Sequence, residues 1–123
     1  MTIAFDIDDT ITRHPGFFSF LTGALIDAGH RVIIITFRDD RESAMESLEE
    51  MGVRYTELVT SSREEHEEFG LFEWKGEVCR RHGVEVFFED DAAVLQYVDP
   101  SIVSLMVVDH EQHDLSRTRR ELW

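Results

Sequence analysis

Short, continuously apolar segments alternate along this chain with longer segments of helical periodicity, and this alternation restricts the fold more than any other feature. The clearest example is RVIIIT at residues 31–36, which is β-branched and apolar at successive positions, so that both of its faces are suited to burial. Strands buried on both faces belong to parallel sheets with helices packed on each side. The sequence therefore predicts an α/β fold, a Rossmann-like three-layer α/β/α arrangement.

The alternation predicts a five-stranded parallel sheet within a single domain, residues 1–123. We predict the strands at residues 1–7, 31–36, 54–60, 84–90 and 101–109. We predict the helices at residues 16–29, 40–51, 71–82 and 91–97, with 110–123 as a polar C-terminal tail. The cluster of Phe17, Phe18 and Phe20 in the first helix is assigned mostly to the core.

The chain has 26 acidic and 12 basic residues, a formal net charge of −14. Such a surface repels nucleic acid and anionic membranes, because both bind to cationic patches, so neither is an expected partner. No apolar run approaches the ~20 residues of a membrane span, and no signal peptide is recognised. The single cysteine, Cys79, fits a reducing compartment, and we expect a cytoplasmic location.

Acidic residues lie at the ends of two of the predicted strands. They stand at the carboxyl ends of these strands: Asp6, Asp8 and Asp9 at the end of the first, and Glu89, Asp90 and Asp91 at the end of the fourth. Because ligands of parallel sheets bind beyond the carboxyl ends of the strands, we expect these carboxylates to converge at one edge. A hard divalent cation relieves their mutual repulsion, and Mg²⁺ is typically held by one or two carboxylates, waters and a substrate phosphate.

The spacing of Asp6 and Asp8 suits a reaction that uses two carboxylates. Side chains two residues apart on extended backbone point to the same side, so one can be a nucleophile while the other transfers a proton. A transferring phosphoryl group also needs hydrogen-bond donors and positive charge. Thr36 can donate from the end of the second strand, and Lys75, the only lysine in the chain, can supply the charge.

These residues form an ordered set that resembles the four motifs of the haloacid dehalogenase-like superfamily. The matching segments are DIDDT at residues 6–10, Thr36 at a strand end, Lys75, and EDD at residues 89–91. Together they span residues 3–91, which is most of the chain. Because the second aspartate of the first motif is present, the resemblance implies phosphate-ester hydrolysis and not the dehalogenase or phosphonatase chemistry of other branches.

The resemblance implies a role for each matched position. Asp6 is the implied nucleophile, which forms an aspartyl-phosphate, and Asp8 is the implied general acid and base. Thr36 binds the phosphoryl group, and Lys75 balances the charge on Asp6 and on the phosphoryl oxygens. The implied cofactor is Mg²⁺, with Asp6, the main-chain carbonyl of Asp8, and Asp90 as its protein ligands.

Three further positions extend the implied site. Asp9 and Glu89 stand where many members of the superfamily have glycine. Asp9 is expected to bind substrate through its backbone amide, whereas Glu89 leaves open whether it or Asp91 assists the metal ligand Asp90. Arg38 lies in a T-x-R segment similar to that of nucleotidase-like and polynucleotide-phosphatase-like members, and it either contacts substrate or forms a structural ion pair.

Members of the superfamily usually carry a cap domain after the first motif or before the lysine helix. Here the first gap holds mostly one helix, and residues 60–71 read as a short acidic loop. We therefore predict no substantial cap domain. The resulting open site favours a bulky or extended substrate, or closure by a second copy in a homo-oligomer.

The leading hypothesis is a capless Mg²⁺-dependent phosphatase that hydrolyses a phosphomonoester, a small metabolite or nucleotide, through an aspartyl-phosphate. The open site and the arginine segment leave a nucleic-acid 3′-end phosphatase as an alternative, against which the net charge of −14 counts. A non-catalytic interaction protein on the same scaffold is the alternative from another class. A receiver domain would need a single phosphorylatable aspartate after the third strand and a lysine after the fifth, which is not the order found here.

Overall fold

Five short strands form one parallel sheet in the computed structural model, which describes residues 1–111. The strands are β1 (Thr2–Phe5), β2 (Arg31–Ile35), β3 (Glu57–Val59), β4 (Val86–Glu89) and β5 (Val103–Met106). Their order across the sheet is β3-β2-β1-β4-β5, and every neighbouring pair is parallel. The predicted α/β fold with a five-stranded parallel sheet is confirmed.

Five helices connect the strands. They are α1 (Pro15–Asp27), α2 (Arg41–Glu50), α3 (Arg63–Phe69), α4 (Trp74–Arg81) and α5 (Ala92–Leu95). Side chains of α1 and α2 share one hydrophobic cluster with Ile3 and Phe5 of β1. Side chains of α4 and α5 share a second cluster with Ala4. Because successive strand residues point to opposite faces, the two clusters lie on the two sides of the sheet and make the three predicted layers.

The carboxyl ends of the strands lie level with one another. Phe5 pairs with Ile34 on one side and with Phe88 on the other, so the residues that follow β1, β2 and β4 come out at the same edge. The N–H of Asp6 still donates to the carbonyl oxygen of Phe88 at 3.0 Å, which ties the first residue beyond β1 to β4. This edge is where the acidic residues of the sequence accumulate.

Segment 60–71, predicted to be an acidic loop, contains the helix α3. Ser62 caps this helix, since its side chain accepts a hydrogen bond from the N–H of Glu65. The prediction was wrong because α3 has no apolar periodicity of its own, and its stability comes from its cap and from contacts with α4. No cap domain occurs in residues 1–111, because only α1 lies between the first motif and β2, and only α3 between β3 and α4.

The prediction for the aromatic cluster of α1 holds for one residue of three. Phe18 is buried against Phe5, whereas Phe17 and Phe20 are 53% and 69% exposed. Helical spacing alone did not distinguish the buried face of the helix from the exposed positions beside it.

Of the predicted polar tail, only His110 and Glu111 belong to the described residues; the remainder lies outside them. None of the helices in residues 1–111 combines the length and apolar character that a membrane span requires.

Candidate functional site

Three carboxylates lie together at the carboxyl ends of β1 and β4. Asp6 directly follows β1, Glu89 ends β4, and Asp90 follows it. One carboxylate oxygen of each lies within 4.8 Å of the others. Asp6 and Glu89 are buried and Asp90 is half-buried. A cluster of this kind is costly without compensating positive charge, because water is largely excluded from it.

Lys75 supplies positive charge from α4. Its side chain is 1% exposed, and its Nζ lies 2.7 Å from Asp6 Oδ1 and 2.8 Å from Glu89 Oε2. The same Nζ lies 4.4 Å from the centroid of the Phe37 ring. The ammonium group therefore bridges the predicted nucleophile and a second buried carboxylate. Lys75 thus contacts one more carboxylate than the sequence predicted.

The residue after Lys75 lets α4 come this close to the site. A Cβ atom at Gly76 would stand 2.4 Å from the carbonyl oxygen of Tyr97, well inside van der Waals contact. Only glycine fits there without moving one of the two backbones. Gly76 thus sets how deeply the lysine enters the carboxylate cluster.

Burial dominates the protonation of the cluster. It raises the pKa of Asp6 to about 6 and that of Glu89 to about 9, although the charge of Lys75 acts against both shifts. For Lys75, burial opposes the charged form, but the two carboxylates outweigh it and raise the pKa of the ammonium group. The cluster therefore brings three carboxyl groups to one ammonium group, and their oxygen atoms fit a hard divalent cation such as Mg²⁺.

The turn of residues 7–11 positions the first-motif side chains. Thr10 Oγ1 donates a hydrogen bond to Asp6 Oδ2 at 3.0 Å, which fixes the second oxygen of that carboxylate. Asp9 lies in the left-handed region at φ 62°, which aspartate tolerates better than most residues. The N–H of Asp9, predicted to bind substrate, donates to Thr12 Oγ1 at 2.9 Å.

Asp8, which lines the cavity around the carboxylate cluster, forms a bidentate ion pair with Arg38. Arg38 Nη2 lies 2.7 Å from Asp8 Oδ1, and Nε lies 2.9 Å from Oδ2. Its Nη1 donates to Ser47 Oγ at 2.8 Å, which anchors the guanidinium to α2. The hydrogen bonds from Arg38 are the main cause of a lowered pKa at Asp8. Of the two readings of Arg38, the structure shows the ion pair, and the substrate contact stays a prediction.

The side chains of Thr36 and Asp91, which the sequence analysis also considered for the site, form their hydrogen bonds outside the carboxylate cluster. Thr36 is fully buried, its Oγ1 accepts the N–H of Arg38 at 3.1 Å, and it is not among the residues that line the carboxylate cavity. Asp91 lines the cavity, but its Oδ1 accepts the N–H of Ala93 at 2.8 Å and caps α5. Asp90, and not Asp91, therefore belongs to the three-carboxylate cluster.

Sequence reasoning gave no role to Thr10 or Phe37, and it considered Glu89 only as a residue that assists the metal ligand. Thr10 holds Asp6, Glu89 pairs with Lys75, and Phe37 lies beside the ammonium group. For Thr10 the signal was its spacing of four residues from Asp6 in a tight turn. For Glu89 it was the last position of an otherwise apolar strand, where a carboxylate needs a buried partner.

No protein-family model matches this chain, and no curated protein matches it either. The geometry and chemistry of the cluster are therefore the basis for a functional proposal.

Proposed function

We propose that this protein is a Mg²⁺-dependent phosphatase of the haloacid dehalogenase-like type, which hydrolyses a phosphomonoester through an aspartyl-phosphate. The observation that carries the proposal is the buried Lys75, held between Asp6 and Glu89 beside a third carboxylate, Asp90. A structural ion pair needs one carboxylate for one lysine. Additional carboxyl groups at the carboxyl end of a parallel sheet support binding of a cation together with a phosphate.

Asp6 is the nucleophile in this proposal. Its pKa of about 6 leaves it largely ionised at neutral pH, and Lys75 and Thr10 each hold one of its oxygens. A carboxylate oxygen attacks phosphorus, the ester bond breaks, and the leaving oxygen takes the bonding electrons and a proton. Water then attacks the aspartyl-phosphate, gives up a proton, and releases inorganic phosphate with the Asp6 carboxylate restored.

Asp8 transfers the proton in both halves of the reaction. As a base toward water it must be ionised, which the ion pair with Arg38 favours by lowering its pKa. As an acid toward the leaving oxygen it must first be protonated, and this requires separation from Arg38. Exchange of the Asp8 carboxyl group between Arg38 and the substrate is therefore part of the proposed cycle.

Asp6 and Asp90 would hold the cation, together with the main-chain carbonyl of Asp8. Glu89 is less suited to direct ligation, because its Oε2 is bonded to Lys75 and its Oε1 accepts the N–H groups of Asp90 and Asp91 at 3.2 and 3.4 Å. When bound, Mg²⁺ supplies charge neutralisation for the phosphoryl oxygens. Lys75 contributes to the same neutralisation and keeps the nucleophile ionised.

The proposal is tested by phosphate release from a panel of phosphomonoesters with Mg²⁺ and with a chelator. We expect activity only with Mg²⁺, and loss of at least about 10³-fold in Asp6→Asn, because the nucleophile is removed. Asp27→Asn is the matched control, since Asp27 is exposed on α1 and, within residues 1–111, pairs only with Arg54. Acid quenching and mass spectrometry should detect a phosphoryl adduct on Asp6.

Each outcome decides between the hypotheses. Full activity in Asp6→Asn, or a phosphoryl adduct at another residue, would refute the mechanism. Absence of Mg²⁺-dependent hydrolysis across the whole panel would favour the non-catalytic interaction protein.

A further inference from the structure

The cavity around the carboxylate cluster is too small for a whole substrate. Its volume is about 210 Å³, below the roughly 300–1,000 Å³ of most small-molecule sites. A phosphoryl group and a cation fit such a space, so the organic part of a phosphomonoester has to lie outside it. A second cavity of about 400 Å³ shares one wall residue, Phe37, with the first.

The second cavity lies between the loop after β2 and the helix α3. Its lining residues are Phe37, Asp39, Ser61, Arg63, His66 and Glu67. Helix α3 stands where the sequence analysis looked for a cap domain, and it forms a side wall of this cavity. We propose that this second cavity is the leaving-group subsite, and that it selects an uncharged, ring-bearing alcohol such as a nucleoside. The inference rests on the proposed phosphatase function.

Aromatic side chains form one wall of the subsite. The rings of Phe37 and His66 are 5.6 Å apart and nearly perpendicular, and both contact the fully buried Trp74. The ring of His66 is also held by a 3.0 Å hydrogen bond between its Nε2 and Ser61 Oγ. Flat aromatic rings of this kind suit stacking with a planar base or the apolar face of a sugar.

The position of α3 is fixed before any ligand binds. Trp74 Nε1 donates to Glu65 Oε2 at 2.7 Å, and Arg81 Nη1 donates to Glu65 Oε1 at 3.0 Å. These bonds join the middle of α3 to both ends of α4, the helix that carries Lys75. The subsite wall and the catalytic lysine therefore belong to one packed unit, and a preformed wall lowers the entropy lost on binding.

The charge of the subsite excludes a second phosphate. Asp39 and Glu67 contribute two carboxylates, and the single arginine, Arg63, is 92% exposed and pairs with Glu67 at 3.2 Å. The carboxylates accept hydrogen bonds from hydroxyl groups but repel an additional anion. An uncharged leaving group with hydroxyls fits this lining, whereas a bisphosphate or the next phosphate of a polynucleotide does not.

The first test compares substrates on the wild-type protein with Mg²⁺. Initial rates of phosphate release are measured for adenosine 5′- and 3′-monophosphate, adenosine 3′,5′-bisphosphate and ethyl phosphate. We expect kcat/KM for the better monophosphate to exceed that for ethyl phosphate at least about fivefold, the lower end of one base-stacking contact. We expect it also to exceed kcat/KM for the bisphosphate. Equal values for all four substrates would overturn the subsite.

The second test reverses one charge on α3. Glu67→Lys should lower the ratio of kcat/KM for the monophosphate to kcat/KM for the bisphosphate by about threefold or more. The reason is that the second phosphate then meets a positive charge in place of a negative one. Glu68→Lys is the matched control, since Glu68 is the next residue of the same helix, is exposed, and does not line the cavity. It should leave the ratio unchanged. The same change in both variants would overturn the proposal, because a general surface-charge effect would then explain it.

A binding measurement separates failure of the subsite from failure of the phosphatase function. Adenosine alone is titrated into wild-type protein, and the backbone amide signals are followed by NMR. We expect shifts at Phe37, Ser61 and His66 and none at Tyr97, which lines a different cavity. Shifts without any phosphatase activity would refute the proposed function and leave the subsite standing. No shifts at the three residues would refute the subsite whatever the turnover.

Discussion

Replacing Lys75 with methionine tests the charge balance of the cluster directly. The side chain is 1% exposed and makes two charged hydrogen bonds, at 2.7 and 2.8 Å. Hydrogen bonds to charged groups contribute about 1.5–3 kcal/mol each, and removal of one partner of a buried ion pair typically costs ~3–5 kcal/mol. We expect Lys75→Met to lower the free energy of unfolding by about 3–5 kcal/mol at neutral pH, a large part of the ~5–15 kcal/mol of a typical domain.

The loss should grow with pH. Asp6 and Glu89 have folded-state pKa values of about 6 and about 9, above their ordinary values of 3.8 and 4.5. A carboxyl group whose pKa is raised on folding lowers the free energy of unfolding as pH rises from the ordinary pKa to the raised one. Over that range the unfolded state releases the proton more readily than the folded state does. Without Lys75 both values rise further. The variant should therefore be closest to wild type near pH 4 and furthest from it near pH 9.

Urea unfolding at pH 5, 7 and 9 in the presence of a chelator measures this dependence. Arg80→Met is the matched control on α4, since Arg80 is exposed and Glu77 is its only ion-pair partner in the described part of the chain. The stability of this variant should stay close to wild type at all three pH values. Adding Glu89→Gln to Lys75→Met should recover about 1–2 kcal/mol, because one uncompensated carboxylate is removed. A loss independent of pH, or no recovery in the double variant, would refute the charge-balance account.

Three further outcomes follow from the packing. Gly76→Ala should lower the free energy of unfolding by about 1–3 kcal/mol in thermal melts and reduce phosphatase activity, because the added methyl group meets the Tyr97 carbonyl oxygen; unchanged stability would contradict the close approach. Ser62→Ala should cost about 1 kcal/mol by loss of the α3 cap and should speed amide exchange of Glu65, which exchange mass spectrometry can measure. Burial raises the pKa of Cys79 to about 12, so a thiol reagent should modify it only in denaturant, and rapid labelling of native protein would contradict this.

The strands could be predicted because their composition leaves few alternatives, but their ends could not. The first strand was predicted to reach residue 7, whereas β1 ends at Phe5. Ile7 and Ile11 are buried from the turn beyond the strand and pack in the same core as Phe5. Hydrophobicity along the sequence reports burial, and it does not report whether the backbone still pairs with a neighbouring strand.

The convergence of the carboxylates was predictable from topology, while the partners of each side chain were not. Parallel strands end at one edge, which was enough to group Asp6 with Asp90. Which carboxylate meets Lys75, and which meets Arg38, depends on the path of the 7–11 turn and the depth of α4. Those are set by contacts between segments distant in the sequence. The resemblance predicted the Lys75–Asp6 pair, whereas the contacts of Lys75 with Glu89 and of Arg38 with Asp8 needed the structure.

The location of Trp74 gives the protein an internal optical reporter. The indole is fully buried, 5.1 Å from the imidazole of His66 and one residue before Lys75. Indole emission responds to nearby imidazole and to local polarity, so its intensity should report filling of the cavity beside α3. The chain has two tryptophans, and a Trp123→Phe variant would leave emission from Trp74 alone. Occupancy of the site and unfolding of the α3–α4 unit can then be followed in one fluorescence titration, without a label and without turnover.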